Sequence, residues 1–554
     1  MPLATRAREL GRLWRTVRHL RVEQVVGRAW FRLHRPQPDL RLAPPLRKAQ
    51  GPWKVAAARE VSMSAPTLLS FLGVEHDLDS VGWDDPSVER LWRYNLHYFD
   101  DVNAQHASER RPWHRKLITR WVAENLPGQG SGWEPYPTSL RTVNWIKYFL
   151  TGEEPQAAWV HSLAVQLRWL RQRLEWHLLG NHLFINAKAL VFAGLWFEGP
   201  EADAWLQRGL SILDRELPEQ ILPDGGQFER SPMYHALALE DLLDLINIIQ
   251  ARADAASPAR ARLTHLRTVT TSMLHWLRCM THADGRLSLF NDCADGIAPD
   301  LQELERYAEA LDIQAPAPAE GLSWLPDSGY IRMRAGQALL LADVAPLGPD
   351  YLVGHAHADT LSFELSLGAR RLVVNGGTSC YGLGMRRNVE RGTSAHSTVE
   401  VASMNSSEVW SGFRVGRRAR PVGLKVCDGH ITCAHDGYRY LRGAPLHRRQ
   451  WTLAPGLLRV DDSLSATGHA AVARYPLAPG LRLQPGTAGG WQVVDGSEVL
   501  ADVEITQGEA RATPTTHSPR FGVVVPNETL TVSLRDGTAS TCWRWKVDAH
   551  PLPH

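Results

Sequence analysis

The sequence predicts an α+β multidomain protein, a helical array followed by an antiparallel β-sandwich. Two observations carry that reading. Between residues 85 and 312, apolar side chains recur at three- and four-residue spacing, the period of a buried helix face. Past residue 325 that pattern gives way to short β-branched and aromatic runs separated by Gly, Pro, Asp and Asn, the mark of short antiparallel strands. Between the two lies Gln314-Ala-Pro-Ala-Pro-Ala-Glu-Gly, a linker-like stretch that puts the boundary near 313–325.

Three regions follow. Residues 1–60 form a basic N-terminal helical extension, in which Leu10, Leu13, Trp14, Val17 and Leu20 recur at helical spacing among arginines from Arg6 to Arg35. The segment lacks the apolar run and small-residue cleavage site of a secretory signal, so cytoplasm and periplasm both stay open. Peripheral contact with a membrane or partner and packing on its own domain are both compatible with the pattern. Residues 61–315 form the helical domain, with helices expected at Val160–Trp176, Leu183–Trp196, Trp205–Leu217, Ala236–Ile249 and Leu263–Met280. No fixed repeat marks a solenoid. Residues 316–554 form the β domain, with strands expected at Tyr330–Arg334, Ala338–Val344, Leu361–Leu367, Arg371–Val374, Ser397–Val401, Leu457–Val460, Val523–Val525 and Leu530–Leu534.

Bulk properties exclude several classes. Lys and Arg number 61 against 59 acidic residues, so no broad basic field points to nucleic acid. No run of 18 apolar residues suggests a transmembrane segment. Six scattered cysteines make neither a zinc finger nor a disulfide framework. Cys427 and Cys433 could pair across a hairpin, but isolated thiols fit better.

Three segments carry chemistry. Gly180-Asn-His-Leu-Phe-Ile-Asn-Ala-Lys opens a helix, where free amides and the helix dipole favour an anion beside Asn181 and His182. Asn181 as a plain helix cap reads the same way. Asp224-Gly-Gly-Gln-Phe-Glu-Arg-Ser-Pro-Met-Tyr-His sets Ser231 and Pro232 as cap and first residue of the next helix, with Tyr234 in its first turn beside Arg230. A tyrosine works as a base only if its pKa falls from about 10. The third segment starts at Gly354-His-Ala-His-Ala-Asp and runs to His396, past Asn375 and a cluster of Arg386, Arg387 and Arg391. If the following strand extends back, His355 and His357 share a face. His357 and His396 precede two strands and could converge, with Asn375, Asp359 or Cys380 completing a zinc site. The arginines suit a carboxylate or sulfate, or form a solvated face. Of the 21 tryptophans, Trp133 in a Gly-Ser-Gly-Trp-Glu-Pro loop is the candidate for stacking on a sugar.

The segments GNHLFINAKAL, DGGQFERSPMYH, GHAHADTLSFEL and NGGTSCYG…RRNVERGTSAHSTVEV, in this order, resemble the heparinase II/III-like polysaccharide lyases. LWRYNLHYFD and PYPTSLRTVNW also resemble bacterial members associated with exopolysaccharide genes. The resemblance implies an incomplete (α/α) toroid followed by an antiparallel β-sandwich, and β-elimination of a uronic-acid-containing glycan. It implies that Asn181 neutralises the substrate carboxylate, that Tyr234 exchanges the proton and that His355 is the partner acid or base. His182, Arg230, Trp133 and Arg391 would bind the anionic polysaccharide. One divalent metal, zinc by preference, would fall to His357, Asn375 and His396. Asn375 departs from the aspartate many relatives carry, and an amide is the poorer zinc ligand. Two rivals remain: a glycoside hydrolase using two carboxylates such as Asp224 and Glu229, or a non-catalytic glycan-binding component of an exopolysaccharide system.

Overall fold

The structure is a computed structural model that describes residues 3–486 and 489–547, with side chains from Glu9 onward. The outermost residues of the first and last expected regions, 1–2 and 548–554, lie outside the described residues.

The helical domain is two-layered. Helices Arg90–Tyr98, Pro135–Leu150, Gly180–Trp196, Pro232–Arg252 and Leu301–Ala310 each touch the next member of that series. Helices Arg111–Glu124, Ala157–Gln172, Pro200–Gln220 and Leu263–Cys279 alternate with them in sequence and pack outside. Each outer helix therefore returns the chain for the next inner one, giving a curved double layer. The inner helices read as their position demands. In Gly180–Trp196 every residue except Asn181 and His182 is buried, which explains why it is apolar all round rather than striped. Buried charge there is paired: Lys188 Nζ lies 2.8 Å from Asp241 and 2.7 Å from Asp244.

The β domain begins at Leu322–Leu325, so the expected 313–325 boundary falls in the connection after Leu301–Ala310. Three antiparallel sheets share one core. A five-stranded meander runs from Leu322–Leu325 to Arg370–Val373, a four-stranded sheet is centred on Val525–Ser533 and Ala471–Pro476, and an eight-stranded sheet contains His447–Ala454, Leu457–Leu464 and Thr538–Arg544. Phe363, Trp451, Tyr475 and Trp543 bring the three together. The expected strands at Val523–Val525 and Leu530–Leu534 are one strand, Val525–Ser533. The sequence-based split followed polar Asn527 and Glu528, but backbone pairing with Glu509–His517 runs through both. The helix expected to reach Trp176 stops at Gln172. All six cysteines are free thiols, so Cys427 and Cys433 are not bridged.

Polar contacts join the domains. Asp224 Oδ2 accepts from the backbone N–H groups of Asp327 and Ser328 and from Ser328 Oγ at 2.7–2.9 Å. Tyr330 OH donates to the Arg230 carbonyl at 2.7 Å, and His282 Nε2 meets Glu364 at 2.8 Å. Asp224→Ala removes four bonds at once, the fourth from Gly226 N–H, and leaves Ser328 N–H short of an acceptor. We expect it to destabilise the protein by about 1–3 kcal/mol, read as a lower melting temperature in calorimetry.

Candidate active site

The domain interface is organised by one carboxylate. Asp292 hangs from the loop after helix Leu263–Cys279, on the helical side, and is fully buried. Its Oδ2 meets His355 Nδ1 at 2.9 Å, its Oδ1 meets His357 Nε2 at 2.8 Å, and the Arg387 guanidinium grips both oxygens. Its backbone is held too: the carbonyl accepts from Ser231 Oγ at 2.6 Å, and the N–H donates to the His355 carbonyl at 3.0 Å. Burial opposes the charge, but Arg387 and the two imidazoles outweigh it and hold the carboxyl well below the ordinary range.

Sequence reasoning missed Asp292, although the pattern Phe290-Asn-Asp-Cys293 held it in plain sight. The condition under which the two histidines would share a strand face is not met. Their strand begins only at Phe363, so His355 and His357 lie in a loop. They converge because both bond one carboxylate, not because they share a strand face.

Above Asp292 the reactive groups assemble. Ser231 caps helix Pro232–Arg252 and accepts from Tyr234 N–H, which fixes Tyr234 in the first turn as expected. The Tyr234 ring lies against His355, centroids 4.0 Å apart, and its hydroxyl meets Tyr381 OH at 2.9 Å. Burial raises the Tyr234 pKa well above 10, with Tyr381 and Asp292 adding to it, so the phenol is neutral. That reverses the expected lowering: the Arg230 side chain turns away to the Ser328 and Asp327 carbonyls, and the charge of Arg387 does not overcome burial. Glu229 stands 3.7 Å from His355 Nε2, and burial raises its pKa against the pull of His355. A Cβ placed on Gly180 would lie 3.7 Å from Glu229, so the start of helix Gly180–Trp196 borders the same space. Asn181, second residue of that helix, is half-buried and makes no side-chain hydrogen bond among the described residues. It does not cap the helix, whose cap position is Leu179. His182 bonds Glu175 at 3.1 Å and lies against Tyr136. Burial works against its proton, but Glu175 prevails and raises its pKa.

Three expected substrate-binding residues are engaged elsewhere. Trp133 is buried between Trp121 and Trp169 and donates to the Asn125 carbonyl. The Arg230 guanidinium donates to the Ser328 and Asp327 carbonyls. Arg391 is fully buried, bonded to the Ala356 and Gly412 carbonyls, and burial with Arg387 nearby lowers its pKa to about 10. Each holds backbone in place, a use of Arg and Trp that residue type alone does not reveal.

His357, His396 and Asn375 do come together, but in line rather than around a point. His357 Nδ1 faces His396 Nε2 at 3.3 Å, and His396 Nδ1 faces the Asn375 amide at 3.2 Å. Asp292 occupies the other His357 nitrogen, so His357 Nε2 carries hydrogen and Nδ1 accepts from His396. His396 Nδ1 then needs a donor, and Asn375 Nδ2, otherwise buried without a partner, supplies it once the amide is turned over. Burial lowers both histidine pKa values to about 4, which suits neutral rings. The same chain recurs in the sandwich. There Gly437 N–H donates to His435 Nδ1, His435 Nε2 meets His447 Nδ1, and His447 Nε2 meets Asp462, itself gripped by Arg449. Among the described residues no three His, Cys, Asp or Glu side chains form a metal-holding group. As they stand, the residues expected to bind zinc satisfy one another along a line, and their lone pairs do not converge on one point as a tetrahedral ion would require.

The two halves of the chain match known domains: "Heparinase II/III N-terminus" over residues 102–312 and "Heparinase II/III-like, C-terminal" over 317–546. The chain belongs to the heparinase II/III-like family. Among curated relatives, FtsZ-localized protein C of Caulobacter vibrioides is 27% identical over 71% of this chain and 68% of its own. A heparin-sulfate lyase of Bacteroides stercoris is 25% identical over 52% of this chain and 44% of its own, so this heparinase II/III-like chain spans under half of that enzyme. A solved structure titled "Crystal Structure of Heparinase III" superposes with a TM-score of 0.65 at 15% identity, over 96% of this chain and 86% of that one. The shared fold is the (α/α) toroid plus β-sandwich, and the alternating inner and outer helices are its toroid.

Two measurements test this site. Elemental analysis of the purified protein is expected to find no stoichiometric zinc, with the melting temperature unchanged by chelator; a chelator-induced drop would contradict the linear chain. The raised pKa keeps the proton on His182 to higher pH than an ordinary imidazole, and the proton is lost as pH rises through that pKa. KM for an anionic chain is therefore expected to climb as pH rises in the wild type, and His182→Gln to abolish that climb.

Proposed function

We propose that the protein is a polysaccharide lyase that cleaves a uronic-acid-containing glycan by β-elimination. The observation that carries the reading is the contact of Tyr234 with His355 at the domain interface, ring centroids 4.0 Å apart, with His355 oriented by Asp292. The heparin-sulfate lyase name of the relative supports the substrate class.

The chemistry follows from the proton positions. Asp292 holds the His355 Nδ1 hydrogen, so Nε2 presents its lone pair to the cleft. That nitrogen can take the weakly acidic C5 proton. The neutral Tyr234 phenol, kept protonated by burial, can deliver its proton to the leaving O4. The work is thus divided, with His355 as base and Tyr234 as acid. Charge builds on the substrate carboxylate as C5 loses its proton, and donors aimed there beforehand lower the barrier. Asn181, whose amide is free, fits that role. Tyr381 holds the Tyr234 hydroxyl in place.

The hydrolase rival loses one of its two carboxylates. Asp224 is spent on Asp327 and Ser328, which leaves Glu229 without the second carboxylate that hydrolysis needs.

Uronate polymers incubated with the enzyme are expected to develop the ultraviolet absorbance of an unsaturated uronate. Cleavage without that absorbance would mean hydrolysis. Tyr234→Phe is expected to lower kcat by about 10²–10⁴-fold with an unchanged melting temperature. Glycan binding that persists in both wild type and variant, with no turnover in either, would favour a binding role instead.

A further inference from the structure

The N-terminal helices are mounted inside out. Helix Leu3–Val17 rests on the β domain through polar side chains: Arg15 bonds Glu408 at 2.9–3.0 Å, Thr16 accepts from Trp410 Nε1, and Arg12 lies over the Trp410 ring. Its apolar residues Leu10, Leu13, Trp14 and Val17 point to solvent, Leu10 at 67% and Trp14 at 65% exposure. Helix Val22–Leu33 repeats the arrangement. Gln24 is buried and reaches the Tyr351 carbonyl, Gly27 packs on the His177 backbone, and Phe31 lies on His177. Arg21, its cap residue, sits over Tyr351 and pairs with Glu219. Val22, Val25, Val26 and Leu33, at i, i+3, i+4 and i+11, are exposed, Leu33 at 82%. Amphipathic helices of a globular protein normally do the reverse, and single exposed apolar residues would need no explanation. Two consecutive helices with whole apolar faces outward do.

Charge selects the occupant. Arg18, Arg28, Arg32 and Arg35 are exposed around these faces and have no acidic partner among the described side chains. Of the exposed acids there, Glu23 is paired with Arg215, leaving Glu9. We propose that the two helices dock the protein on an anionic lipid surface, with the apolar faces entering the headgroup boundary and the arginines meeting lipid phosphates. No described helix is long and apolar enough to cross a membrane, and these two helices would lie along the surface. The mount is rigid, since the polar faces are bonded to the β domain and to the helical domain. It would hold the sandwich and the toroid at a set orientation to the bilayer. The inference is independent of the lyase reading, because its readout is binding.

Co-sedimentation of the full chain with vesicles tests it. The protein is expected to pellet with phosphatidylcholine and phosphatidylglycerol mixed in equal parts, to pellet poorly with phosphatidylcholine alone, and to be released by salt. Leu13→Glu and Val26→Glu, each on a solvent-facing site, are expected to weaken binding about tenfold or more with melting temperature unchanged. Equal binding by these variants, or no binding by the wild type, would overturn the proposal. So would a dimer in solution that the same variants split while vesicles are ignored, since the faces would then meet a second copy.

Discussion

The buried carboxylate of Asp292 is the constraint on which the site depends. It belongs to the helical domain, yet its hydrogen-bond partners His355, His357 and Arg387 all belong to the β domain. A buried ion is stable only where its partners are all in place, so the charge can be satisfied only when the domains are docked. The same bond that closes the interface sets the tautomer of His355 and aims its free nitrogen at the cleft. Orientation of His355 and assembly of the fold are one event.

That dual use explains why so much charge near the site is not available to substrate. Arg387 compensates Asp292, Arg391 braces the Ala356 and Gly412 carbonyls, and Arg230 braces the connection at Asp327 and Ser328. What is left facing the cleft is sparse: a phenol, an imidazole nitrogen, an amide and a carboxyl whose proton burial favours. These are the groups an elimination needs, and each is positioned by a helix start or a buried bond rather than by a flexible loop.

The two Asp–His–His chains carry a related lesson. In the sandwich the chain ends on a backbone N–H, in the site on the Asn375 amide. Both ends are neutral donors, and both chains serve rigidity. An aspartate at 375 would be an acceptor where a donor is required, so asparagine is the consistent residue for a linear chain without a metal.

Much of this protein was written in its sequence. Helix period, strand alternation and the Pro-Ala linker mark the two domains, because burial on one face imposes a period on any element. Ser231 and Pro232 announce the helix that carries Tyr234, because capping is local chemistry. The meeting of His357 with His396 was legible as two histidines before two strands. What the sequence could not hold was the identity of the partner. Asp292, the neutral state of Tyr234, the inward turn of Trp133, Arg230 and Arg391, and the outward apolar faces of the first two helices all depend on what stands opposite. Periodicity tells which residues share a face, and only the folded chain decides what that face meets.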